Sequence, residues 1–160
     1  MIFLGIIIGS PIFGSTSDWI HRRKPVMLIG AALSVATLST IIFIPHMTFY
    51  PLLILFLLLG ITTSSQVLIY PTIAESNPIN FISTATSCVA LIIDSIGAMV
   101  QILVGWILSI HWDGTKVKGI PLYDHANWHF AMLAIAALFA LSFIVVTRLK
   151  ETHCKSIMTA

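Results

Sequence analysis

Asp94 is the residue of this sequence with the clearest capacity for chemistry, because it lies in the middle of an apolar run over residues 82–110. On insertion scales an acid at the centre of a membrane helix costs roughly 2.5 to 3.5 kcal/mol, so it should face a cavity or a partner. Ser87 and Gln101 each lie seven residues from Asp94, which places the three side chains on one helical stripe with alanines between them. A polar stripe of this kind is typical of a helix that lines a pathway.

Three interpretations of Asp94 stay open at this point. Its carboxyl group couples a proton or a substrate to transport, or it forms a hydrogen bond between helices and is kept neutral by its surroundings. In the third interpretation the limits of the apolar run are misplaced and Asp94 lies at its edge.

A second set of polar residues repeats every four positions in the apolar run 50–73, namely Thr62, Gln66 and Tyr70. Residues four apart lie on the same side of an α-helix, so the spacing predicts a second polar stripe. For Gln66, Tyr70 and Gln101, hydrogen bonds between helices explain the pattern as well as contacts with a ligand do.

The most specific motif joins the first two apolar runs, where Gly14 and Asp18 precede Arg22, Arg23 and Lys24. Glycine allows close helix contact, and an acid can interact with the positive N-terminal end of a neighbouring helix. The basic residues pair with that acid and hold the loop at one membrane surface. We therefore expect a latch between two states of the protein, with a plain basic turn that only fixes topology as the alternative.

Histidines supply a weaker signal, because His125 and His129 are four residues apart and His111 lies in the same polar stretch. A metal pocket could use this spacing, but Asp113 and Asp124 are the only nearby carboxylates and no thiol accompanies them. No glycine-rich phosphate loop and no nucleophile with a base is readable either. We predict no metal, no cofactor, no catalytic residue and therefore no enzyme.

The composition indicates the solvent in which these residues work. Of the 160 residues 58% are hydrophobic and 9% charged, with a mean hydropathy of +1.00, whereas about a quarter of the residues of a soluble domain are charged. A lipid bilayer suits such a chain. The net charge of +2 comes with basic residues in short clusters, which argues against nucleic acid as a partner.

Apolar segments long enough to cross about 30 Å of hydrocarbon as helices, or nearly so, recur along the chain. They cover residues 1–17, 26–44, 50–73, 82–110 and 129–147. Because prolines and polar residues lie at the junctions, the chain should fold as a series of hairpins. The predicted fold class is an all-α, polytopic membrane bundle of about five transmembrane helices, forming one membrane domain over residues 1–160.

Basic residues are unevenly divided between the loops. Six of the eight lie in the segment 18–25 and in the tail after residue 147, and two lie in the segment 111–128. Four predicted spans separate the two basic segments, so both should face the same side, which the positive-inside rule makes cytoplasmic. We expect a multi-pass protein of a bacterial inner (cell) membrane with a cytoplasmic C-terminus.

The loop motif from Gly14 to Pro25 resembles the signature Gly-x-x-x-Asp-x-x-Gly-Arg-Arg/Lys of the major facilitator superfamily. His21 stands where the family usually has glycine, which predicts a less tight turn and a weaker latch. Looser patterns agree with the family elsewhere, in Glu75-Ser-Asn-Pro78, Thr84-Ala-Thr-Ser87 and the spacing of Gly97, Gln101 and Gly105.

The resemblance implies two six-helix halves around a central site, of which five spans form only a part. In many members of the family, the first half carries an arginine in the helix that corresponds to the third span here, and the following helix often has a Gly-Pro pair. This sequence has neither feature. The resemblance therefore favours the C-terminal half, helices eight to twelve. In the family the acid of the loop usually faces a helix of the opposite half. We therefore expect Asp18 to have no partner within its own chain.

The expected function is transmembrane transport of a small solute by a secondary carrier, such as a proton- or ion-coupled symporter or other permease, present here as a fragment. Expected partners are the lipid bilayer, the solute, and either a missing N-terminal half or another copy of the chain. Candidate substrate or coupling residues are Ser87, Asp94, Gln101, Gln66 and Tyr70. The alternative is a truncated remnant that transports nothing, or a small membrane interaction protein.

Overall fold

The structure is a computed structural model that describes residues 1–44, 48–110, 116–117, 120–121, 125–149, 151–152 and 154. Its α-helices are α1 Ile2–Ile20, α2 Lys24–Phe43, α3 Phe49–Thr63, α4 Ile69–Ser76, α5 Ile82–Ile110 and α6 His125–Arg148. Two 3₁₀ turns, Ser64–Leu68 and Ile79–Phe81, flank α4. An antiparallel pair of two-residue strands, β1 Lys116–Val117 and β2 Ile120–Pro121, lies between α5 and α6.

Within these described residues, five helical segments are long and apolar enough to cross a membrane. They are Ile2–Ile20, Lys24–Phe43, Phe49–Ser76, Ile79–Ile110 and Phe130–Arg148. Each corresponds to one predicted span, so the prediction of an all-α polytopic bundle is confirmed. The third is longer than expected, because α4 continues α3 beyond the 3₁₀ turn.

The connection between α1 and α2 is short because His21 ends the first helix in the left-handed conformation, with φ 53° and ψ 32°. Its backbone N–H donates to the Asp18 carbonyl oxygen at 3.3 Å. Pro25 lies in the first turn of α2, where its missing N–H leaves no hydrogen bond unmade. The expectation of a less tight turn at His21 is not met, since only residues 21–23 separate the two helices.

Small residues allow α1 to lie directly against α3. Gly5 and Gly9, one helical turn apart, contact the stretch of α3 around Gly60. A Cβ atom placed on Gly5 would lie 2.8 Å from the backbone nitrogen of Ile61, and one on Gly60 would lie 2.9 Å from the carbonyl carbon of Ile2. Real Cβ contacts are not this short, so the two backbones meet in the close approach that small residues permit in membranes.

Gly14 does not take part in this packing. A Cβ atom placed there would meet nothing within 4 Å. The prediction that Gly14 brings helices together is therefore wrong for the described residues, and the glycines five and nine residues earlier in α1 take that role. Glycine content alone did not indicate which face of α1 is covered.

Helix α2 occupies the middle of the bundle, between α3 and α6. One apolar cluster, Leu38, Ile42 and Leu59, joins α2 to α3 and is covered by side chains of α6. A second cluster, Val26, Met27 and Leu68, lies at the other end of α2. Most other large apolar side chains are exposed on the outside of the bundle, as expected where lipid is the solvent.

Helix α5 stands apart from this bundle. Its main contacts are with α4, the adjoining 3₁₀ turn and α6, and the most apolar stretch of the segment Ile79–Ile110 is 0% buried. Leu108 is the one residue of α5 that is buried among the described residues. The bundle therefore presents one nearly bare transmembrane helix.

The α1 to α3 contact gives a first prediction. Gly5→Ala and Gly60→Ala should each lower the free energy of unfolding by about 1 to 3 kcal/mol, because the added methyl group overpacks the contact. Gly14→Ala is the matched control, since its methyl group enters open space and alanine favours the helix by up to about 1 kcal/mol. Unfolding in mixed detergent micelles, followed by circular dichroism, measures all three. Equal losses at all three glycines would contradict this packing.

The left-handed residue gives a second prediction. His21→Gly should raise the free energy of unfolding by about 1 kcal/mol, because glycine has no Cβ to oppose a positive φ. His21→Ala keeps the Cβ and should bring no such gain. The same unfolding measurement compares the two variants. Destabilisation by His21→Gly would mean that the imidazole itself, not the backbone conformation, holds the turn.

Candidate functional site

Arg23 is buried at the end of the bundle where α1 stops and α2 begins, with 8% of its surface exposed. Its Nη1 donates to the Ser17 hydroxyl at 3.0 Å and to an Asp18 carboxylate oxygen at 2.5 Å. Its Nε and Nη2 both donate to Oε1 of Glu75, at 3.2 and 2.8 Å. One guanidinium group thus joins the ends of α1, α2 and α4.

The segment after α6 binds at the same place. Oε1 of Glu151 accepts from the backbone N–H of Arg23 at 2.8 Å, and Oε2 accepts from that of Lys24 at 3.1 Å. These N–H groups lie at the start of α2, where backbone donors lack helical partners and negative charge is favoured. The buried Thr152 donates its hydroxyl to Oε2 of Glu75 at 2.5 Å.

We call Ser17, Asp18, Arg23, Glu75, Glu151 and Thr152 the Arg23 cluster. It brings residues from the first loop, the end of α4 and the tail to one end of the bundle. The two basic segments 18–25 and the tail therefore lie at the same end, as the even number of intervening spans predicts. Three separate parts of the chain therefore meet around Arg23.

The two carboxylates that hold Arg23 differ in their exposure to water. The Glu75 side chain is 14% exposed and the Asp18 side chain 65%. An exposed ion pair contributes at most about 1 kcal/mol, whereas removing one partner of a buried pair costs about 3 to 5 kcal/mol. The Glu75 contact is therefore the stronger constraint on Arg23.

Charge balance keeps Arg23 ionised despite its burial. Burial by itself lowers the pKa of Arg23, but hydrogen bonds to Glu75 and Asp18 and the charge of Glu75 outweigh it, so the pKa is raised. The guanidinium group therefore stays positive at neutral pH. It can therefore act as a permanent cation for the surrounding carboxylates.

Cys154 lies at the edge of the cluster, and its thiol donates to the Ser17 carbonyl oxygen at 3.8 Å. Burial raises the pKa of the Cys154 thiol; the charge of Arg23 opposes this effect and the charge of Glu75 adds to it. The thiol therefore stays protonated near neutral pH. A protonated thiol is a poor nucleophile and a poor metal ligand.

Two predictions about the loop need correction. The basic residues of the loop were expected to pair with Asp18, and Arg23, five residues further on, binds its carboxylate. The other expectation, that Asp18 lacks a partner in its own chain, is therefore wrong. Arg22 and Lys24 were expected to share the latch, yet among the described residues only Arg23 of the three contributes its side chain. The Arg22 side chain is exposed, and Lys24 contributes its backbone N–H.

Sequence reasoning missed Glu75, Glu151 and Thr152 as members of the site. One signal was available, because the chain has only six acidic residues and the topology places Asp18, Glu75 and Glu151 at the basic end. Acids that share a membrane surface with a basic loop are candidates to pair with it. Their meeting at Arg23 in particular depends on packing that the sequence does not display.

The polar residues of α5 form a separate site. The helix is continuous from Ile82 to Ile110, so Ser87, Asp94 and Gln101 lie on one face of it. All three side chains are exposed, and the part of the chain that the structure describes offers them no hydrogen-bond partner. Their roles remain predictions.

The predicted stripe of Thr62, Gln66 and Tyr70 is wrong as one continuous face. The 3₁₀ turn Ser64–Leu68 has about three residues per turn instead of 3.6, so it rotates the later positions relative to α3. Thr62 is 7% exposed, whereas Gln66 and Tyr70 are exposed. Gln66 and Tyr70 therefore face away from the helix contacts that bury Thr62.

Over the described residues, no group of three or more His, Cys, Asp and Glu could hold a metal ion. His111 and the side chains of His125 and His129 lie outside the described part.

A cavity of about 450 Å³ between the start of α1 and the start of α3 is lined by apolar residues only, so it lacks the polar groups that would orient a solute.

The chain matches a known family over almost all of its length. The family described as the Major Facilitator Superfamily matches residues 1–155, a range that includes the five apolar helical segments and the Arg23 cluster. No curated protein matches the chain. With its apolar helices and its charged loop, the chain belongs to the major facilitator superfamily of membrane transporters.

Proposed function

We propose that the chain carries a small solute by alternating access, as part of a secondary carrier whose second bundle is another chain. The Arg23 cluster is the observation that carries the proposal. It is a compact set of charges at one end of the bundle that joins the first loop, α4 and the tail. Such a set of charges keeps that end of the carrier closed in one state. Its hydrogen bonds break when the helices move apart.

In this proposal Arg23 and Glu75 form the centre of the latch, and Asp18 and Glu151 complete it. Charged hydrogen bonds are made or broken as units, which gives two distinct arrangements instead of a continuous range. Asp18, being mostly exposed, is the member best placed to exchange partners with a second bundle. Arg22, also exposed, contributes to orientation through its charge.

Asp94 is the proposed coupling residue, with Ser87 and Gln101 beside it along the transport pathway. A carboxyl group in a membrane helix can take up and release a proton as its surroundings alternate between wet and dry. Gln66 and Tyr70 are proposed to line the same pathway from the α3 to α4 region, because both are exposed. The driving ion is proposed to be a proton.

The proposed setting is a bacterial cell membrane with the Arg23 cluster on the cytoplasmic side, where the positive-inside rule places basic loops. The five spans are proposed to correspond to helices eight to twelve of the family. The second bundle is then either an N-terminal half on a separate chain or another copy of this chain.

One observation favours a second candidate, a non-transporting remnant or a small membrane interaction protein. Helix α5 is bare over its most apolar stretch, and a bare polar face in a membrane suits binding to another membrane protein. In that function the Arg23 cluster only stabilises the bundle. Uptake measurements separate the two candidates.

Uptake of a panel of labelled solutes into proteoliposomes that contain the chain, under an imposed proton gradient, tests the proposal. We expect saturable uptake of one solute class, abolished by a protonophore and lowered at least about tenfold by Asp94→Asn. Ser95→Ala is the matched control, because it alters the neighbouring residue on another face of α5 and should leave uptake unchanged.

Glu75→Gln should also lower uptake, because it removes the main carboxylate partner of Arg23. Absence of uptake with every solute, in vesicles where insertion of the chain is verified, would reject carriage by this chain alone. Uptake with unchanged rate and pH dependence in Asp94→Asn would reject the coupling role.

A further inference from the structure

Asp94 is the one charged side chain in the middle of the five apolar segments that the structure describes. The eight Lys and Arg residues and the six histidines lie between these segments, in the tail or at the end of a segment. Asp18 and Glu75 lie within two residues of the ends of their segments, where Arg23 binds them. The middle of this chain therefore offers a solute a single negative charge.

The side of α5 that carries Asp94 is lined by small residues. Ala90 and Ala98 lie one turn before and after Asp94, and Gly97 lies three residues after it. A Cβ atom placed on Gly97 would meet nothing within 4 Å. The Asp94 side chain is exposed and has no hydrogen-bond partner among the described residues. Space for a bulky group therefore adjoins a carboxyl group that nothing in this chain neutralises.

The polar residues of this side do not converge as ligands of a small inorganic ion. Ser87 and Gln101 lie seven residues before and after Asp94, which is about 10 Å along the helix in each direction. Small divalent cations need several oxygen atoms within about 2.0 to 2.6 Å. Over the described residues, no group of three or more His, Cys, Asp and Glu could hold a metal ion. A large cation with diffuse charge suits a single carboxylate better.

Helix α4 lies beside α5 and adds an aromatic ring. Counted from the turn that joins the two helices, Asp94 lies about 18 Å along the one and Gln66 about 15 Å along the other, with Tyr70 at about 9 Å. Gln66 and Tyr70 are both exposed. Tyrosine rings attract organic cations through their faces. Tyr70 therefore favours positive charge on a solute that moves between Asp94 and the end of the bundle with the Arg23 cluster.

We propose that the carried solute is an organic cation, which binds Asp94 and exchanges there with a proton. Charges interact strongly in the membrane interior because little water screens them. The Asp94 carboxylate therefore attracts a cation and repels an anion. The inference rests on the proposed function, to which it adds the class of solute and the direction of coupling.

The exchange follows from the presence of a single carboxyl group. When the cation binds, the O–H bond of Asp94 breaks, the proton passes to water, and the carboxylate pairs with the cation. When the cation leaves, the carboxylate takes a proton from water on the side to which the pathway is open. Holding both at once would leave an uncompensated positive charge in the membrane, which is costly. One proton therefore crosses for each monovalent cation that crosses in the opposite direction.

The other titratable groups around α5 are distant from Asp94 or uncharged. The elements packed against α5 are α4, the 3₁₀ turn Ile79–Phe81 and α6. Together with α5 itself they carry Tyr70, Glu75, Cys88, His125, His129 and Arg148. Glu75, the histidines and Arg148 lie near helix ends, and phenols and thiols are uncharged near neutral pH. Cation binding should therefore depend on pH through Asp94 and weaken as acid protonates it.

Binding of tetraphenylphosphonium and tetraphenylborate to the full chain in uncharged detergent micelles tests the charge of the solute. The two ions have nearly the same size and shape but opposite charge. After subtraction of binding to empty micelles, we expect at least about tenfold tighter binding of the cation. Asp94→Asn should abolish this binding and Asp94→Glu should retain it. Ser95→Ala is the matched control and should leave it unchanged. Tetraethylammonium extends the measurement to a smaller cation.

A pH-sensitive dye in weakly buffered solution measures the exchange itself. At a pH where acid weakens binding, the cation should release up to about one proton per chain, and Asp94→Asn should release none. Three results would overturn the proposal: no binding of either cation, equal binding of tetraphenylphosphonium and tetraphenylborate through Asp94, or cation binding without proton release.

The binding and uptake measurements together separate this proposal from the proposed function. Cation binding with proton release but without uptake into proteoliposomes would support the cation site and reject carriage by this chain alone. Saturable uptake of a neutral or anionic solute, without binding of either cation through Asp94, would support carriage and reject this class of solute.

Discussion

The burial of the Arg23 guanidinium group is the constraint on which the charged end of the bundle depends. A buried cation without partners would be too costly to keep, so the fold must bring carboxylates to it. Glu75 meets this need on the protein side, where its side chain is 14% exposed, and Asp18 meets it on the solvent side. The ends of α1, α2 and α4 are positioned around this one group.

Glu151 extends the same constraint to the tail. By accepting from the backbone N–H groups of Arg23 and Lys24 it caps α2, and Thr152 beside it binds the carboxylate that holds Arg23. Movement of α6 relative to α2 would therefore break several charged hydrogen bonds together. Away from this end the bundle depends on close backbone contact, as at Gly5 and Gly60, because lipid supplies no hydrophobic force between helices.

The features that follow from local pattern were predictable, and those that depend on packing were not. The stripe of Ser87, Asp94 and Gln101 follows from a heptad spacing within one uninterrupted apolar run. The prediction of one stripe from Thr62 to Tyr70 is wrong, because the 3₁₀ turn that begins at Ser64 interrupts the α-helix. Just before this turn, the hydroxyl groups of Thr62 and Thr63 donate to the backbone carbonyl oxygen of Leu59. Such bonds accompany a bend in the helix, and hydropathy does not reveal the 3₁₀ turn that follows. The roles of Glu75 and Glu151 became visible only with the meeting of distant segments.

A double-mutant cycle on Arg23 and Glu75 tests the central claim most directly. The free energy of unfolding in mixed micelles is measured for Arg23→Gln, Glu75→Gln and the double variant, with Arg22→Gln and Glu75→Gln as the control cycle. We expect a coupling energy above about 1.5 kcal/mol for Arg23 with Glu75, and additivity within about 0.5 kcal/mol for the control. Additive losses in the Arg23 cycle would contradict the account and reduce the cluster to independent surface charges.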